Sequence, residues 1–522
     1  MSKHFSSEGE LRNKLLQGVS ILADNVGSTL GPKGRNVIIR EKGKMPFITK
    51  DGVTVAKFVD LEDPVMDAAA QIVKQASAKT NAEAGDGTTT STVLVQAIYT
   101  EALATLTNGT NATELKRGMD KAVSAVVSEL ARKSRPISSK MDVCHIATLS
   151  ANNDPTIGEL ISEAVDKVGK NGSINIREAK SVDTTLDLVE GFRFDSGYAA
   201  GAFVTDERKK TTSYEDPLFF LTDSKLDRVD QILPALEIAA RESRPFIIIA
   251  DEIEGQALAA LIMNTIRGSM KVAAVKAPRY GEARRNIMLD LALATGAKYF
   301  RKSEGHDISD VKLMDFGSAR SIEISKSMTT IVGAQGNLDK VEEHIESLKQ
   351  DILHEDTMDE CKRIQDRITR LASGIAVISV GAHTEVEMIE KKHRIEDALE
   401  AVRSAQIEGV IPGGGVTLLR IADTLDVETD NNDQEKGVNI IKRAMTGPIC
   451  TMAENSGLVP KTVLATIRDI NDSNHGINFA TGEIVDFFEV GIIDPAKVAR
   501  CALQNAVSVA GTLITTNFAI LE

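Results

Sequence analysis

The stretch GDGTTTSTVLVQ, residues 85–96, places a carboxylate between two glycines and follows it with three threonines and an apolar, helix-like run. The first N–H groups of a helix lack partners within the helix and carry the positive end of its dipole. A glycine-rich loop leaves these groups open to a phosphate, and Thr88, Thr89 and Thr90 add hydroxyl donors. Asp86 would hold a Mg²⁺ ion that bridges to the phosphate. The same residues also fit an Asx turn that caps a helix and binds nothing.

Three further loops have the composition of phosphate-binding turns. Each of them matches neither a P-loop nor a GxGxxG motif, and each alone is a weak signal. Because all of them lie in the terminal parts of the chain, together they predict one phosphate site. The loops are STLGPKGRN, with Gly31, Pro32 and Gly34 beside the cations Lys33 and Arg35; ITKDGVTVA, with Lys50 and Asp51 in an Asp-Gly turn; and IPGGGVTLL, with Gly413, Gly414 and Gly415 before a helix.

Composition excludes several classes of function. The chain has 522 residues, enough for about three domains, and its 42% hydrophobic and 26% charged residues are typical of a well-cored globular protein. A net charge of −14 argues against nucleic acid as a partner, and the absence of an 18-residue apolar run argues against a membrane span. The N-terminus has no secretory h-region. Scattered cysteines indicate reduced thiols and a cytoplasmic location; they are Cys144, Cys361, Cys450 and Cys501.

The pattern of helices and strands changes twice along the chain. The first 135 residues predict long helices with one strand-like insert over 30–55, and Pro136 then stiffens a bend. The middle third predicts a βαβ unit with a parallel sheet over 244–278 and two packed antiparallel helices over 338–371. Helices return to the end. We therefore expect one domain built from both termini, with another inserted in it. The hinge candidates at the crossings are Pro136, Gly191, Gly374 and Gly409, although strand-end glycines need not be hinges.

The order of seven motifs gives a family resemblance that no single motif carries. The sequence resembles the group I (GroEL-type) chaperonins from about Leu11 to Thr516. The motifs are TLGPKGRNV, TKDGVTVA, AGDGTTTSTVL, GAHTEVEM, RIEDAL, EGVIPGGGV and IIDPAKVAR.

The resemblance implies a multidomain α/β subunit. It comprises a helical equatorial ATPase domain (1–135 and 409–522), a small mixed intermediate domain (136–190 and 374–408) and an inserted α/β apical domain (191–373).

The resemblance also implies ATP and Mg²⁺ as cofactors, with K⁺ as a further candidate ion. Asp86 would ligate Mg²⁺. Asp397, on the polar face of a helix whose apolar face carries Ile395 and Leu399, would orient the attacking water, and Asp51 would assist. Without the resemblance, Asp397 would be read as a solvated helix charge. The residues expected around the nucleotide are Thr29, Leu30, Gly31, Pro32, Lys50, Asp86, Gly87, Thr88, Thr89, Thr90, Gly414, Asn478, Ala480 and Asp494.

Members of this family bind non-native chains and a lid co-chaperonin in an apolar apical groove. Helical apolar spacing more often indicates core, so the groove assignment depends on the resemblance. Exposed apolar area offers ~25 cal/mol/Å² to any unfolded chain without requiring a particular sequence. The matching positions are Tyr198, Phe203, Leu233, Leu236, Leu258, Ile262 and Met263.

The sequence departs from the family at assembly positions. Ser196 stands where an Arg usually pairs with the acid corresponding to Glu385, and Cys450 and Val459 cannot form the inter-ring Arg–Glu contact. We therefore expect homo-oligomeric rings, heptameric by resemblance, whose ring-on-ring pairing is weak or nucleotide-dependent. The small residues of AAGAF (199–203) also make independence from a separate lid protein plausible.

Two other functions fit part of the pattern. A small-molecule kinase could use the DGTT loop, but it leaves Asp397 and the Gly413–Gly415 loop unexplained. A passive holdase would keep the fold without turnover, and the retention of carboxylates at Asp51, Asp86 and Asp397 weighs against it.

Overall fold

The computed structural model divides the chain into two compact units. Unit 1 combines residues 1–163 and 382–522, and unit 2 is the continuous segment 164–381. The structure describes residues 4–6, 8–40, 46–106, 109–169, 173–179, 181–207, 209–354, 357–372 and 374–521. One unit is thus built from both ends of the chain, as the sequence predicts. The finer three-domain division stays a prediction.

The N-terminal segment is mainly helical, and β2 and β3 form an antiparallel hairpin within the predicted strand-like insert. Its elements are β1 (His4–Ser6), α1 (Glu8–Gly27), β2 (Val37–Ile39), β3 (Phe47–Thr49), α2 (Gly52–Phe58), α3 (Pro64–Ala84), α4 (Thr88–Leu106), α5 (Ala112–Lys133), α6 (Lys140–Ser150) and α7 (Pro155–Val168), along which the chain passes into unit 2.

Strands and helices alternate in the middle segment. Its elements are β4 (Ser173–Glu178), β5 (Thr185–Phe194), β6 (Thr212–Glu215), β7 (Leu218–Leu226), α8 (Val229–Glu242), β8 (Phe246–Ile253), α9 (Gly255–Ile266), β9 (Val272–Lys276), α10 (Gly281–Thr295), β10 (Tyr299–Phe300), β11 (Gly317–Ile324), β12 (Thr329–Ala334), α11 (Leu338–His354), α12 (Met358–Ala372) and β13 (Gly374–Val380).

The C-terminal segment returns to helices and completes unit 1. Its elements are α13 (Glu385–Glu408), β14 (Val410–Pro412), α14 (Val416–Thr424), α15 (Asn432–Ala444), α16 (Gly447–Asn455), α17 (Pro460–Asp469), β15 (His475–Ile477), β16 (Ile484–Asp486), α18 (Phe487–Val490), β17 (Ile493–Pro495), α19 (Ala496–Ile514) and β18 (Ala519–Leu521). None of the helices in the described ranges combines the length and the hydropathy that a bilayer-spanning helix needs.

The core of unit 1 is a helical layer in which α4 packs against α1, α3 and α19. Leu94, Ile98 and Leu503 are fully buried in it. Local signals set the helix ends. Asp63 caps the first turn of α3, where Pro64 needs no hydrogen-bonded N–H, and Gly85 ends that helix in the left-handed region at φ 74°. The GDGTTT loop therefore begins directly at the end of α3.

The described strands of unit 2 join in one mixed sheet. Its order is β4-β13-β5-β12-β11-β7-β8-β9, with β10 paired to β7 and β6 paired to β11. Strands β7, β8 and β9 are parallel, and α9 connects β8 to β9. This confirms the predicted βαβ unit. Because β8 reads FIIIADEI and is buried over its first five residues, it belongs to a sheet covered on both faces.

Helices α11 and α12 pair as predicted, with Leu348, Ile364 and Ile368 buried between them. A polar network fixes the pair to α10. Asp290, fully buried, accepts two bonds from Arg367 (2.9 and 2.7 Å) and is bonded to His344 Nε2 (3.1 Å). These partners hold the pKa of Asp290 below its usual value despite burial.

Candidate functional site

A cavity of about 620 Å³ in unit 1 collects residues from both ends of the chain. Its size is that of a small-molecule or cofactor site. All the residues that the sequence analysis assigned to the nucleotide and its chemistry line this cavity: Thr29, Leu30, Gly31, Pro32, Lys50, Asp51, Asp86, Gly87, Thr88, Thr89, Thr90, Asp397, Gly414, Asn478, Ala480 and Asp494. The structure thus brings together segments that are separated by more than 300 residues in sequence.

The GDGTTT loop presents the start of α4 to the cavity. Gly87 has φ 82°, and α4 begins at the next residue, so the open N–H groups of its first turn lie at the cavity wall. The Asp51–Gly52 turn approaches this helix closely, since a Cβ on Gly52 would lie 2.1 Å from Thr89 Oγ1. A larger residue would therefore require the Thr89 side chain to move. The arrangement is that of an anion site at a helix N-terminus.

The STLGPKGRN loop contributes backbone rather than charge. Gly31 has φ 84°, and its carbonyl accepts a bond from Lys50 Nζ at 3.2 Å. Lys33 and Arg35 are exposed and do not line the cavity. The prediction that they add positive charge to this site is therefore wrong. Lys50 supplies a cation at the wall instead, and burial lowers its pKa.

Asp86 and Asp494 are half-buried carboxylates in the cavity wall. Burial raises the pKa of Asp86, and the nearby Asp51 raises it further. Burial also raises the pKa of Asp494 to about 7, with the charge of Asp86 as the second cause. Desolvated carboxylates that repel one another create a negative potential that favours a cation. Among the described residues, no group of three or more His, Cys, Asp or Glu side chains could hold a metal ion.

This chemistry fits Mg²⁺ held by one carboxylate and the phosphates of a ligand, since Mg²⁺ seldom uses an all-protein cage. Asp86 accepts bonds from Gly87 N–H (2.5 Å) and from the Ser150 hydroxyl (3.1 Å). In the described structure neither donor belongs to the first turn of α4, so Asp86 is not the cap of that helix. The capping alternative is therefore not how Asp86 is used.

Asp51, by contrast, caps a helix. Its carboxylate accepts bonds from Val53 N–H (3.1 Å) and from both N–H and O–H of Thr54 (3.0 and 2.6 Å) at the start of α2. A side chain held in this way cannot swing freely. Asp51 can therefore contribute charge at a fixed place in the wall, and its catalytic role stays a prediction.

Asp397 reaches the cavity from α13. The opposite face of this helix is buried at Ile395, Leu399 and Val402, which directs Asp397 away from the core and toward the cavity. Arg394, one turn earlier, bonds Asp154 at 3.1 Å and fixes the helix beside the loop that follows α6.

Sequence reasoning missed the residues at the end of α6 and in the turn that follows it. Ser150, Asn152 and Asn153 all line the cavity, and both asparagines have positive φ (59° and 62°). Two successive non-glycine residues in this region of φ mark a strained turn of the kind found at functional sites. The segment SANND (150–154) could have indicated this turn, because asparagine tolerates left-handed backbone conformations better than most residues.

The raised pKa of Asp494 predicts a pH-dependent stability. The pKa of an aspartate in the unfolded chain is about 4, whereas burial raises the pKa of Asp494 in the folded state to about 7. Between these values the folded state holds the extra proton, so the contribution of Asp494 to stability falls as pH rises through the window. We expect Asp494→Asn to gain melting temperature relative to the wild type from about pH 4 to about pH 7, with a constant difference above. Thermal melts of the ligand-free proteins at equal concentration measure this, and a pH-independent difference would contradict it.

The predicted apolar groove lies on unit 2, where α8 and α9 pack against each other. Leu233 on α8 and Met263 on α9 are 46% and 45% exposed, and Tyr198, Leu258 and Ile262 are half-buried. Phe203 and Leu236 are buried at 0% and 7% and belong to the core of the unit. A client cannot reach these two side chains, so we leave them out of the surface proposed below.

The hinge candidates lie in pairs. Arg135 and Val410 exchange backbone bonds (2.9 and 2.7 Å), which brings Pro136 beside Gly409, itself at φ 80°. In unit 2, Gly374 of β13 is paired with Glu190, the neighbour of Gly191 in β5. Each pair brings together two chain segments that are far apart in sequence. Their rotation stays a prediction.

Comparisons with known proteins address the family and the fold of the chain. A model of the TCP-1/cpn60 chaperonin family matches residues 22–522. The structure is similar to that of the chaperonin gp146 from the bacteriophage EL 2 (Pseudomonas aeruginosa) in presence of ATP-BeFx. In crystal form II the TM-score is 0.69 and in form I it is 0.63, each at 22% identity over 99% of both chains. The likeness confirms the multidomain α/β fold, and the family match confirms the resemblance that the seven motifs carry.

Proposed function

The chain belongs to the TCP-1/cpn60 chaperonin family, and from this premise we propose that it is an ATP-dependent chaperonin subunit. It captures non-native proteins on exposed apolar residues of unit 2 and assists their folding in a ring cavity. Binding and hydrolysis of Mg²⁺-ATP in unit 1 drive the cycle. Family membership leaves the small-molecule kinase alternative without support.

One observation carries the proposal: four loops and four aspartates from distant parts of the chain line one cavity. The N-terminus of α4 receives phosphate oxygens, and Lys50 adds positive charge to the wall. Gly414, Asn478, Ala480 and Asp494 bound the part assigned to the adenosine. The structure of gp146 was obtained in presence of ATP-BeFx, which supports a nucleotide as the ligand.

Mg²⁺ bound with the nucleotide would neutralise phosphate charge, and Asp86 is the residue that would hold it. The chain supplies the remaining chemistry. Asp397 orients a water molecule and accepts its proton, while the hydrogen bonds of Asp51 keep its charge fixed in the wall. Both segments of unit 1, residues 1–163 and 382–522, line the cavity. All of its hydrogen-bond donors, its carboxylates and its cation therefore come from unit 1.

Removal of the Asp86 carboxylate tests this proposal. We expect Asp86→Ala to weaken Mg²⁺-ATP binding by at least about tenfold, because it removes the proposed metal ligand itself. Isothermal titration of the full-length protein with ATP, in Mg²⁺ and in EDTA, measures the effect. Glu387→Gln on α13 is the control, since that exposed carboxylate lies outside the cavity. Wild-type protein that binds no ATP in Mg²⁺ would contradict the function.

Assembly is the part of the function in which this sequence differs most from its relatives. We expect rings of seven subunits whose pairing into double rings is weak or nucleotide-dependent, because Cys450 and Val459 cannot form an ion pair. One surface ion pair is worth only about 0–1 kcal/mol, but a ring repeats the loss at every subunit. Val459 is 63% exposed, so an apolar contact there could offset part of it.

Sedimentation velocity of the apo, ATP and ADP forms measures ring pairing over a dilution series. A double ring that persists unchanged in all three forms would contradict the expectation. If rings form and bind clients without ATP turnover, the protein is instead a passive holdase.

A further inference from the structure

The C-terminal end of α6 contributes a hydroxyl group to the cavity. Ser150 Oγ donates to Asp86 Oδ2 at 3.1 Å, while Gly87 N–H donates to Asp86 Oδ1 at 2.5 Å. Each carboxylate oxygen therefore has one fixed donor and keeps a lone pair. Rotation of the carboxylate about its last torsion would break both bonds. The two donors together fix its plane.

The position of Ser150 is itself fixed from both ends of α6. At the N-terminus, Ser139 and Asp142 form a capping box, and Arg135 bonds the buried Asp142 at 3.3 Å. Along its length, α6 packs against α13 and β17, the elements that carry Asp397 and Asp494. The hydroxyl thus lies on a helix that packs against the two elements carrying the other carboxylates of the cavity.

The turn after Ser150 fixes it further. Asn153 N–H bonds the carbonyl of Thr148 at 2.9 Å, which closes the turn formed by Asn152 and Asn153. Asp154 then bonds Arg394 of α13 at 3.1 Å. Left-handed backbone at two successive asparagines persists only where the surroundings hold it. Here it keeps the end of α6 directed at the GDGTTT loop.

We propose that Ser150 is a positioning residue for the metal-ligating carboxylate: its hydroxyl fixes the direction in which Asp86 presents its free lone pairs to Mg²⁺. The inference rests on the proposed function, in which Asp86 is the ligand. Hydrogen bonds to a ligating carboxylate usually change metal affinity by about 10- to 100-fold when they are removed. A hydroxyl that only packed the loop would instead affect the binding of nucleotide with and without metal alike.

The test is a Mg²⁺ titration at fixed ATP, read as the rise in melting temperature of the full-length protein. For Ser150→Ala we expect the Mg²⁺ concentration at half of the maximal rise to increase about tenfold or more. The rise that ATP produces in EDTA should stay at the wild-type value. Ser150→Thr keeps the hydroxyl and should restore the wild-type titration.

Ser162→Ala is the matched control. Ser162 is a buried serine of unit 1 that donates to the Glu159 carbonyl at 2.9 Å, outside the cavity. Its removal should not move the Mg²⁺ titration.

The outcomes separate the inference from the function. If the wild type shows no Mg²⁺-dependent rise, or Asp86→Ala leaves that rise unchanged, the proposed function fails. If both behave as expected but Ser150→Ala titrates like the wild type, the inference alone is overturned. The inference is also overturned if Ser150→Ala lowers the ATP-induced rise in melting temperature equally with Mg²⁺ and in EDTA, or if Ser150→Thr does not restore the wild-type titration. Either result would assign Ser150 a packing role.

Discussion

Replacing Asp397 with alanine is expected to slow ATP hydrolysis by about 100-fold or more while ATP binding stays nearly unchanged. The side chain lines the cavity from α13, whose opposite face is buried at Ile395 and Leu399. A carboxylate that orients water and accepts its proton acts on the transition state, so its loss lowers the turnover rate rather than the affinity. Single-turnover hydrolysis of labelled ATP, with affinity measured by calorimetry, separates the two quantities.

Asp397→Asn preserves the shape of the side chain and removes the charge, so it should be as slow as the alanine variant. Glu387→Gln, on the same helix and outside the cavity, should hydrolyse ATP at the wild-type rate. Should Asp397→Ala turn over ATP as fast as the wild type, the catalytic assignment is wrong. If Asp397→Ala weakened ATP binding by the same factor as it slowed hydrolysis, Asp397 would have a structural role.

Replacing exposed apolar residues of unit 2 is expected to abolish the capture of a denatured protein. Leu233 on α8 and Met263 on α9 are nearly half exposed, and these helices pack against each other. Exposed apolar area offers about 25 cal/mol/Å² to any unfolded chain, and a ring multiplies this by avidity. The double variant Leu233→Ser/Met263→Ser should no longer suppress aggregation of a denatured client. Its melting temperature and basal ATPase should equal those of the wild type.

Leu236 gives an internal comparison for this experiment. It lies one turn from Leu233 on the same helix but is 7% exposed within the core of unit 2. Leu236→Ser should therefore lower the melting temperature, since truncating a buried leucine to a small side chain costs about 2–5 kcal/mol. If Leu233→Ser/Met263→Ser also melts early, these side chains are core and the client surface lies elsewhere. If the double variant is stable and still captures the denatured client, the client-binding surface also lies elsewhere.

Short-range features of the fold could be predicted because their causes are short-range. A Gly-Asp-Gly loop before threonines marks a helix start, and α4 begins at Thr88. An apolar run without alternation marks a strand buried on both faces, and β8 occupies FIIIADEI. Heptad-like spacing marked the α11–α12 pair. In each case the residues that decide the conformation lie within one or two turns of one another.

Amphipathic spacing did not reveal which apolar face becomes core. Leu233 and Leu236 share a helix and a spacing, yet packing buries only the second. Phe203 read as a client-binding aromatic and is fully buried. A period of 3.6 residues places side chains on one face of a helix but does not say what covers that face. The covering elements come from elsewhere in the chain.

The sequence by itself determined the chemical inventory of the cavity: glycine turns, a helix N-terminus, Lys50 and the carboxylates Asp86 and Asp397. Only the tertiary structure decided how they are used. It turned Lys33 and Arg35 to solvent and placed Ser150 on Asp86. The physical reason is range. Turn and cap preferences act over a few residues, whereas desolvation and hydrogen bonding between residues 64 apart exist only after the helices have packed.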